Sequence, residues 1–499
     1  MYLRSSMKQI GMFDFNCPFG FPIDESNRWV KLSEQIPWDS LEDIYAEQFN
    51  KMDGTNTGNV AIPFRVALGS LIIRRVMHLS DRNTVKNIQE NPYLQFFLGV
   101  SKYTSVPLFD PSMMTHFRKR LDLDAMKEIT DQIIEFEKKT SADAEHPVSD
   151  NDVDSAYDMK AESDTDYRKS MDMVAEVISA GILRGAITRR EAMFLGSIPN
   201  SGELIIDATC CPVNIRYPQD YSLLNEARDK IDAIISRICK ATHQKKPRTY
   251  CRVARQKYLE LAKKKKRTKK EIRKVVRFML SCVRRNLRYL DNLLNESVCL
   301  ESKEEWQVET IRKLYDQQKY MYDNDTTRVD NRIVSIHMPF IRPIVRGKTP
   351  NPTEFGPKMD ISVDTENNSR IEYYSYEAYN ESGHLIDAVE GYYARTGHFP
   401  ERVLADQIYR NKKNRRYCEV RNIRLSGPKL GRPSKEESES KQHRKQTHQD
   451  MIDRIEVERH FSRTKRCFGL DLIMEKLEET VGCSAALGIL LDNIIPVGF

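Results

Sequence analysis

The sequence lacks the cysteine patterns of disulfide-stabilised and zinc-binding proteins. It contains ten cysteines in 499 residues, but no Cys-x-x-Cys pair and no Cys/His cluster at the spacing of a zinc site. It also shows no Ser-His-Asp or Cys-His arrangement that would indicate nucleophilic catalysis. We therefore expect reduced thiols in a cytoplasmic protein.

Long hydrophobic runs are absent as well. The N-terminal stretch MYLRSSMKQIGMFDF has no continuous apolar segment, so no secretory signal is predicted. The most apolar segment, CSAALGILLDNIIPVGF at 483–499, is interrupted by Asp492, Asn493 and Pro496 and is too short to cross a bilayer. This pattern predicts no membrane contact.

The net charge is small, since 79 Lys and Arg oppose 72 Asp and Glu and leave only +7. Positive charge is concentrated, however, in KKKKRTKKEIRKVVRFMLSCVRRNLRYL at 263–290, inside a stretch of helical period from about 221 to 322. Such a run is either the solvated face of a helix or a contact for a phosphate backbone, and its density with few acids favours phosphate. The candidate phosphate-binding residues of this run are Lys263, Lys264, Lys265, Lys266, Arg273 and Arg277.

The order of helical and strand patterns predicts a helical domain followed by an α/β domain. Apolar residues at helical spacing fill 61–139, and a polar stretch follows. Strand patterns then appear in ELIIDATCCPVNIRYP, at 332–378 and in RVLAD, with helical segments between them. The predicted segments are a helical N-terminal domain at 1–139, a linker with helices at 140–200, and a mixed α/β domain at 201–499 with a basic helical insertion at about 221–322.

Two aspartates stand at the ends of predicted strands, Asp207 in LIIDAT and Asp406 in RVLAD. Either residue alone is as well explained by the capping of a turn. Two such strands side by side would bring both carboxylates to one edge of a sheet. Carboxylate oxygens at such an edge suit a hard divalent cation such as Mg²⁺.

A third carboxylate is available in DRIEVERHFSRTK at 453–465. On a helix, Arg454, Glu458 and Lys465 project from one face, whereas Glu456 lies about 200° away from Glu458. Arg454 and Glu458 are equally compatible with an ordinary i, i+4 surface pair. The neighbouring apolar stripe, which we expect to pack on the sheet, consists of Val457, Phe461 and Phe468.

These residues resemble the signature of the bacterial insertion-sequence transposases with a DDE triad, in particular the IS-five-like group. The third motif of that superfamily reads Tyr, two residues, Arg, three residues, Glu, six residues, Lys. Arg454, Glu458 and Lys465 stand at those intervals, and Met451 takes the place of the Tyr. LSDRNTVKNIQENPYLQFFLG, VLADQIYRNKKNRRYCEVRNIRLSGPKLGRP and CFGLDLIMEKLEETVGCSAALGILLDNI are similar to further parts of the family, so that the resemblance covers about 45–495.

The resemblance implies an RNase H-like catalytic domain and an N-terminal domain that binds DNA or mediates oligomerisation. It implies that Asp207, Asp406 and Glu458 form the catalytic triad and bind Mg²⁺ or Mn²⁺, with Arg454 and Lys465 near phosphates. The implied reaction cuts DNA at the ends of an insertion sequence and joins the 3′ ends to target DNA. The implied partners are terminal inverted repeats, target DNA and further copies of the chain, in the bacterial nucleoid. Two alternatives stay open: a non-catalytic DNA-binding descendant, and a metal-dependent nuclease without strand transfer.

Overall fold

The computed structural model describes residues 15–16, 23–52, 60–145, 199–294, 299–345, 353–428 and 437–496. The predicted linker at 140–200 therefore lies mostly outside the described residues. No disulfide joins the cysteines in these ranges. Among the helices of the same ranges, none is both long and apolar enough to cross a bilayer.

The N-terminal part consists of helices that pack around aromatic side chains. Trp29, Trp38, Phe64 and Phe97 are buried in this core. The side chains of Asn27 and other polar residues cap helix starts by accepting backbone N–H groups, as short polar residues commonly do. The helices are α1 (Arg28–Gln35), α2 (Trp38–Met52), α3 (Phe64–Val76), α4 (Asp81–Glu90), α5 (Pro92–Phe97), α6 (Met113–Arg120) and α7 (Leu123–Glu145).

A mixed sheet of five strands forms the centre of the C-terminal part, in the order β5-β4-β1-β6-β7. β1 runs antiparallel to β4 and parallel to β6. β1 is a nearly continuous apolar run because both faces of the sheet are covered by helices. The strands are β1 (Glu203–Cys210), β4 (Lys358–Asp364), β5 (Ser369–Ser375), β6 (Arg402–Ala405) and β7 (Arg424–Leu425), with β2 (Pro343–Val345) and β3 (Thr353–Phe355) in a separate pair. The mixed α/β class read from the sequence is confirmed.

The strand pattern at 332–347 yields only the short β2. Ile333 and Ile336 are buried in the core of the helices that lie between β1 and β2 in the chain. Val334 and Met338 are instead buried in the core that includes the N-terminal helices. The alternation of this segment reflects a chain that passes between two cores, not a strand in the sheet. Pro339 follows directly and offers no N–H for a strand ladder.

Between β1 and β2 the described chain forms four helices with a core of their own. That core includes Leu224, Ile231, Ile235, Met279 and Val283. The helices are α8 (Asp220–Ala241), α9 (Cys251–Ala262), α10 (Lys269–Leu294) and α11 (Ser302–Asp323).

Helices cover both faces of the sheet and fix the rotation of the helix that carries Glu458. On one face, α12 (Leu385–Thr396) packs with Leu204 and Ile206. On the other, Val457 is fully buried against Ile205 and Leu404. The remaining helices are α13 (Lys412–Val420), α14 (Glu437–Asp453), α15 (Ile455–Cys467) and α16 (Glu478–Ile494).

Candidate active site

Asp207 and Asp406 lie on adjacent strands at equivalent positions. Ile206 pairs with Ala405 in the parallel register, so each aspartate is the residue that follows a paired position. Asp207 remains within β1, and its Oδ1 accepts the N–H of Ala208 at 2.8 Å. Asp406 caps the short 3₁₀ turn Gln407–Tyr409 and accepts the N–H of Gln407 at 2.6 Å. The two carboxylates therefore share one region of the sheet.

Arg454 connects this region to Glu458. Its Nη1 lies 3.4 Å from Oδ2 of Asp207, and its Nη2 lies 3.6 Å from Oε1 of Glu458. The Asp207 side chain is 19% exposed and that of Glu458 is 55% exposed, so Glu458 faces solvent beside a half-buried acid. Glu456 instead pairs with Arg459 at 2.5 Å.

The predicted helix at 453–465 is divided between α14, which ends at Asp453, and α15, which begins at Ile455. Arg454 between them keeps helical backbone angles, and its N–H donates to the carbonyl oxygen of Asp450 at 3.0 Å. α15 is held on the sheet by Val457 and by His460, whose Nδ1 pairs with the buried Asp492. Glu458 thus projects from a helix that is fixed from its inner face.

Burial and nearby acids disfavour the charged form of Asp207. Burial is the largest cause that raises its pKa, and Glu381 and Asp406 raise the pKa further. The N–H of Ala208 and the guanidinium of Arg454 act in the opposite direction. A carboxylate in this situation gains more from a bound cation than an exposed one does.

Asp360 is an acid near this site that is not among the residues predicted from the sequence. Asp360 on β4 pairs with Ala208 in the register and is fully buried, and Tyr379 donates a hydrogen bond of 2.7 Å to its Oδ1. Its Oδ2 has no hydrogen-bond partner among the described residues. Burial, which is the largest cause, together with Glu381 and Asp207 raises the pKa of Asp360 to about 7, against the opposing effects of Tyr379 and Lys358. A polar residue inside the buried strand pattern of KMDISVD was the available signal.

Metal binding requires that the carboxylates approach more closely than they do here. Within the described ranges, no three His, Cys, Asp or Glu side chains form a group that could hold a metal ion. Arg454 supplies the positive charge between Asp207 and Glu458. The oxygen donors suit a hard divalent cation in type, but they are linked through a guanidinium.

The predicted phosphate-binding residues fall into two groups. Lys263, Lys265 and Lys266 are exposed near the end of α9, and Arg277 is exposed on α10. Lys465 is half-buried on α15 and forms no ion pair within the described part of the chain.

The other two are already occupied by contacts within the chain. Lys264 pairs with Glu271 at 2.6 Å. Arg273 pairs with Asp325 at 2.8 Å and lies over the ring of Tyr322. Glu271 offsets the charge of Lys264, whereas the single carboxylate of Asp325 is shared between Lys269 and Arg273 and offsets only one of their two charges.

Two segments of the chain match known domain families. Residues 21–120 match a transposase domain family (DUF772), and residues 403–494 match the transposase DDE domain family. Two segments of this chain are therefore similar to transposase domains. The resemblance to insertion-sequence DDE transposases is thereby confirmed, and the DDE match implies an RNase H-like fold for a DNA-handling enzyme. Asp406 and Glu458 lie inside the second match, and Asp207 precedes it.

One curated relative of this chain comes from Rhizobium meliloti, where it is described as uncharacterized protein ORF8 in the nfe locus. It is 28% identical over 132 residues, which are 26% of this chain and 61% of that protein. The chain therefore matches less than two thirds of that relative. No solved structure matches the chain.

Proposed function

We propose that this chain is a DDE transposase that cuts DNA at the ends of its insertion sequence and joins the 3′ ends to target DNA. Asp207, Asp406 and Glu458 are its catalytic residues and bind Mg²⁺ or Mn²⁺. The observation that carries the proposal is the pairing of Arg454 with both Asp207 and Glu458, while Asp406 directly follows the strand adjacent to that of Asp207. A positive charge held by two acids marks a position where a divalent cation would also be stabilised.

Arg454 has two roles in this proposal. Its guanidinium pairs with Asp207 and Glu458 at 3.4 and 3.6 Å. If these acids held a divalent cation, the guanidinium would be free to donate charge-assisted hydrogen bonds to a DNA phosphate. Lys465 lies on α15, seven residues after Glu458. In this proposal it contacts a DNA phosphate that is further from the three acids.

The chemistry of bound divalent ions is the activation of water or of a 3′-hydroxyl and the stabilisation of the leaving oxygen. The protein's own task is to hold the acids so that little rearrangement is needed. Asp207 and Asp406 are positioned by the ladder between β1 and β6, and Glu458 is positioned by the buried inner face of α15. The side chains that would have to move are those of the exposed Glu458 and of Arg454, which stands between Glu458 and Asp207.

The remaining parts of the chain bind DNA and bring two ends together in this proposal. We assign phosphate contacts to the exposed residues of the basic helices at about 221–322. We assign recognition of the terminal inverted repeats and oligomerisation to the helical N-terminal part, 1–139, with 140–200 as the connection and 201–499 as the catalytic part.

The test compares Glu458→Gln with Glu456→Gln, a matched change on the same helix. Both remove one carboxylate charge and leave size nearly unchanged, and each should alter stability by no more than about 0.5 kcal/mol. The substrate is a duplex that carries the repeats flanking this gene, incubated with Mg²⁺. We expect Glu458→Gln to lose strand cleavage and strand transfer while it still binds DNA, and Glu456→Gln to keep both activities. Cleavage by Glu458→Gln at the rate of the parent would exclude Glu458 from the triad, and cleavage by the parent without joining would indicate a nuclease.

A further inference from the structure

A stripe of unpaired positive charge runs along the exposed face of α10. Its members recur at intervals of four, three, seven and four residues, so they lie on one side of the helix. The opposite face of α10 is buried in the core of the four helices. The α10 stripe consists of Lys270, Lys274, Arg277, Arg284 and Arg288.

The acids close in sequence to the stripe are occupied elsewhere. Glu271 pairs with Lys264 and accepts the hydroxyl of Thr268. Asp291 pairs with Arg312 of α11. Within the described chain, none of the five stripe residues forms an ion pair, although the chain contains nearly as many acids as bases. The five stripe residues therefore have one sign and no acid paired with them, although the exposed acid Glu260 of α9 lines the same groove as Lys274 and Arg277.

Other cations of the same run have structural tasks, which separates them from the stripe. Arg267 donates to the carbonyl oxygens of Leu261 and Ala262 at the end of α9. Arg285 donates to the carbonyl oxygen of Thr249 at 2.8 Å. These contacts stabilise the helices and leave little capacity for an external ligand.

Like charges within the stripe repel each other, and a bound polyanion would reduce this repulsion. Lys270 and Lys274 are four residues apart, as are Arg284 and Arg288, and like charges at this spacing destabilise a helix. An ordinary solvated helix face interleaves charges of both signs and avoids that cost. The uniform sign over this length favours a ligand of opposite and repeating charge.

The length of the stripe matches such a ligand. From residue 270 to 288 the helix rises about 27 Å at 1.5 Å per residue. B-form DNA carries a phosphate every 3.4 Å along each strand, so the stripe spans about eight base pairs. A groove of about 870 Å³ between α9 and α10 adjoins its first half and adds Lys257, whose Nζ lies 3.9 Å from the centre of the Phe278 ring.

We infer that the α10 stripe is the principal surface on which this chain holds the backbone of duplex DNA, independently of sequence. The inference rests on the proposed function and narrows it, because Lys264, Arg267, Arg273 and Arg285 are excluded as principal contacts. Phosphate contacts fix the position of a duplex without reading its bases. The stripe would therefore hold terminal repeats and target DNA equally well.

The test measures binding of the full-length chain to a 20-base-pair duplex of unrelated sequence as a function of NaCl concentration. The stripe variant is Lys274→Gln/Arg277→Gln/Arg284→Gln. The matched control is Arg312→Gln/Lys313→Gln/Lys319→Gln on α11, which removes the same number of charges from cations that are already paired. Loss of three phosphate contacts should reduce the slope of log K against log salt concentration by about 2.7. If the plots of parent and variant meet at 1 M salt, this change corresponds to a loss of affinity of about 500-fold at 0.1 M salt.

We expect the control variant to change the slope by less than about 0.9, the value for one phosphate contact. We expect the charge-preserving variant Arg277→Lys/Arg284→Lys to bind DNA with the affinity of the parent. An unchanged slope in a folded stripe variant would overturn the inference, and so would tighter binding of the parent to duplex RNA than to DNA. Neither result would alter the cleavage test at Glu458. A parent chain that binds no DNA would overturn both the stripe and the proposed function.

Discussion

Glu475 ties the end of the DDE region to the N-terminal helices, and its charge is expected to be essential for stability. Its side chain is only 4% exposed, and Oε1 lies 3.0 Å from Nη2 of Arg74 on α3. Burial opposes its ionisation, yet Arg75, Arg74 and Arg118 together hold the pKa of Glu475 below its ordinary value. Glu475→Gln keeps the volume but leaves these guanidinium groups without their shared buried anion.

The size of the effect follows from what remains after the substitution. Removal of one partner of a buried ion pair costs about 3–5 kcal/mol. Asp81 still pairs with Arg74 at 2.7 Å and with Arg118 at 2.6 Å, so we expect a loss at the lower end, about 3 kcal/mol. Because the folded pKa of Glu475 is depressed, this stabilisation is present above the unfolded pKa of about 4.3 and is lost as the pH falls through the folded value.

Urea unfolding followed by tryptophan fluorescence measures this loss. Trp29 and Trp38 are buried in the N-terminal core and report on it directly, whereas Trp306 is exposed. The control is Glu479→Gln, an exposed acid at the start of α16, which should change the free energy of unfolding by less than about 0.5 kcal/mol. A loss below about 1 kcal/mol for Glu475→Gln would refute the assignment of a buried charge cluster.

Two further predictions concern the acids of the sheet. The pKa of Asp360 is raised to about 7, so its contribution to stability is greatest below the unfolded pKa of about 3.9, declines as the pH rises from there to about 7, and stays constant above that. Asp360→Asn should remove that decline and raise the melting temperature at pH 8 relative to the parent, and an equal decline in both proteins between pH 5 and pH 8 would contradict this. Arg454→Gln should tighten Mn²⁺ binding, because the guanidinium no longer competes for Asp207 and Glu458, while DNA cleavage falls. Calorimetric titration and a cleavage assay measure the two effects, and weaker Mn²⁺ binding would contradict the competition.

The local patterns that were predicted correctly arise from interactions close in sequence. The apolar period of VALGSLIIRRV is that of α3, and the apolar run in ELIIDATC is that of β1. Each apolar pattern follows from which faces of the helix or strand are buried, and the spacing of apolar residues in the sequence indicates those faces. The same holds for Val457, whose expected contact with the sheet is present.

Long-range pairing was beyond what these patterns could determine. Asp207 and Asp406 are 199 positions apart, and only the pairing of β1 with β6 brings them to one region. The ion pair of Arg273 depends on Asp325, a residue 52 positions away. A count of basic residues cannot distinguish such an occupied cation from Arg277, because the difference lies in tertiary contacts.

The strand-like segment at 332–347 was misassigned for a related reason. Its apolar residues alternate because successive ones belong to different cores, with Ile333 on one side and Val334 on the other. Period alone does not separate this case from a strand. The helix predicted for DRIEVERHFSRTK is present, with Ile455–Cys467 in α15 and helical backbone angles at Arg454.

The central claim is that Asp207, Asp406 and Glu458 together bind a divalent cation. Calorimetric titration of Mn²⁺ into the DNA-free chain tests it most directly, with Asp207→Asn, Asp406→Asn and Glu458→Gln compared against Glu456→Gln. We predict saturable binding by the parent and by Glu456→Gln, and affinities reduced more than about tenfold in each of the other three variants. Binding of Mn²⁺ to Asp207→Asn as tightly as to the parent would contradict the claim.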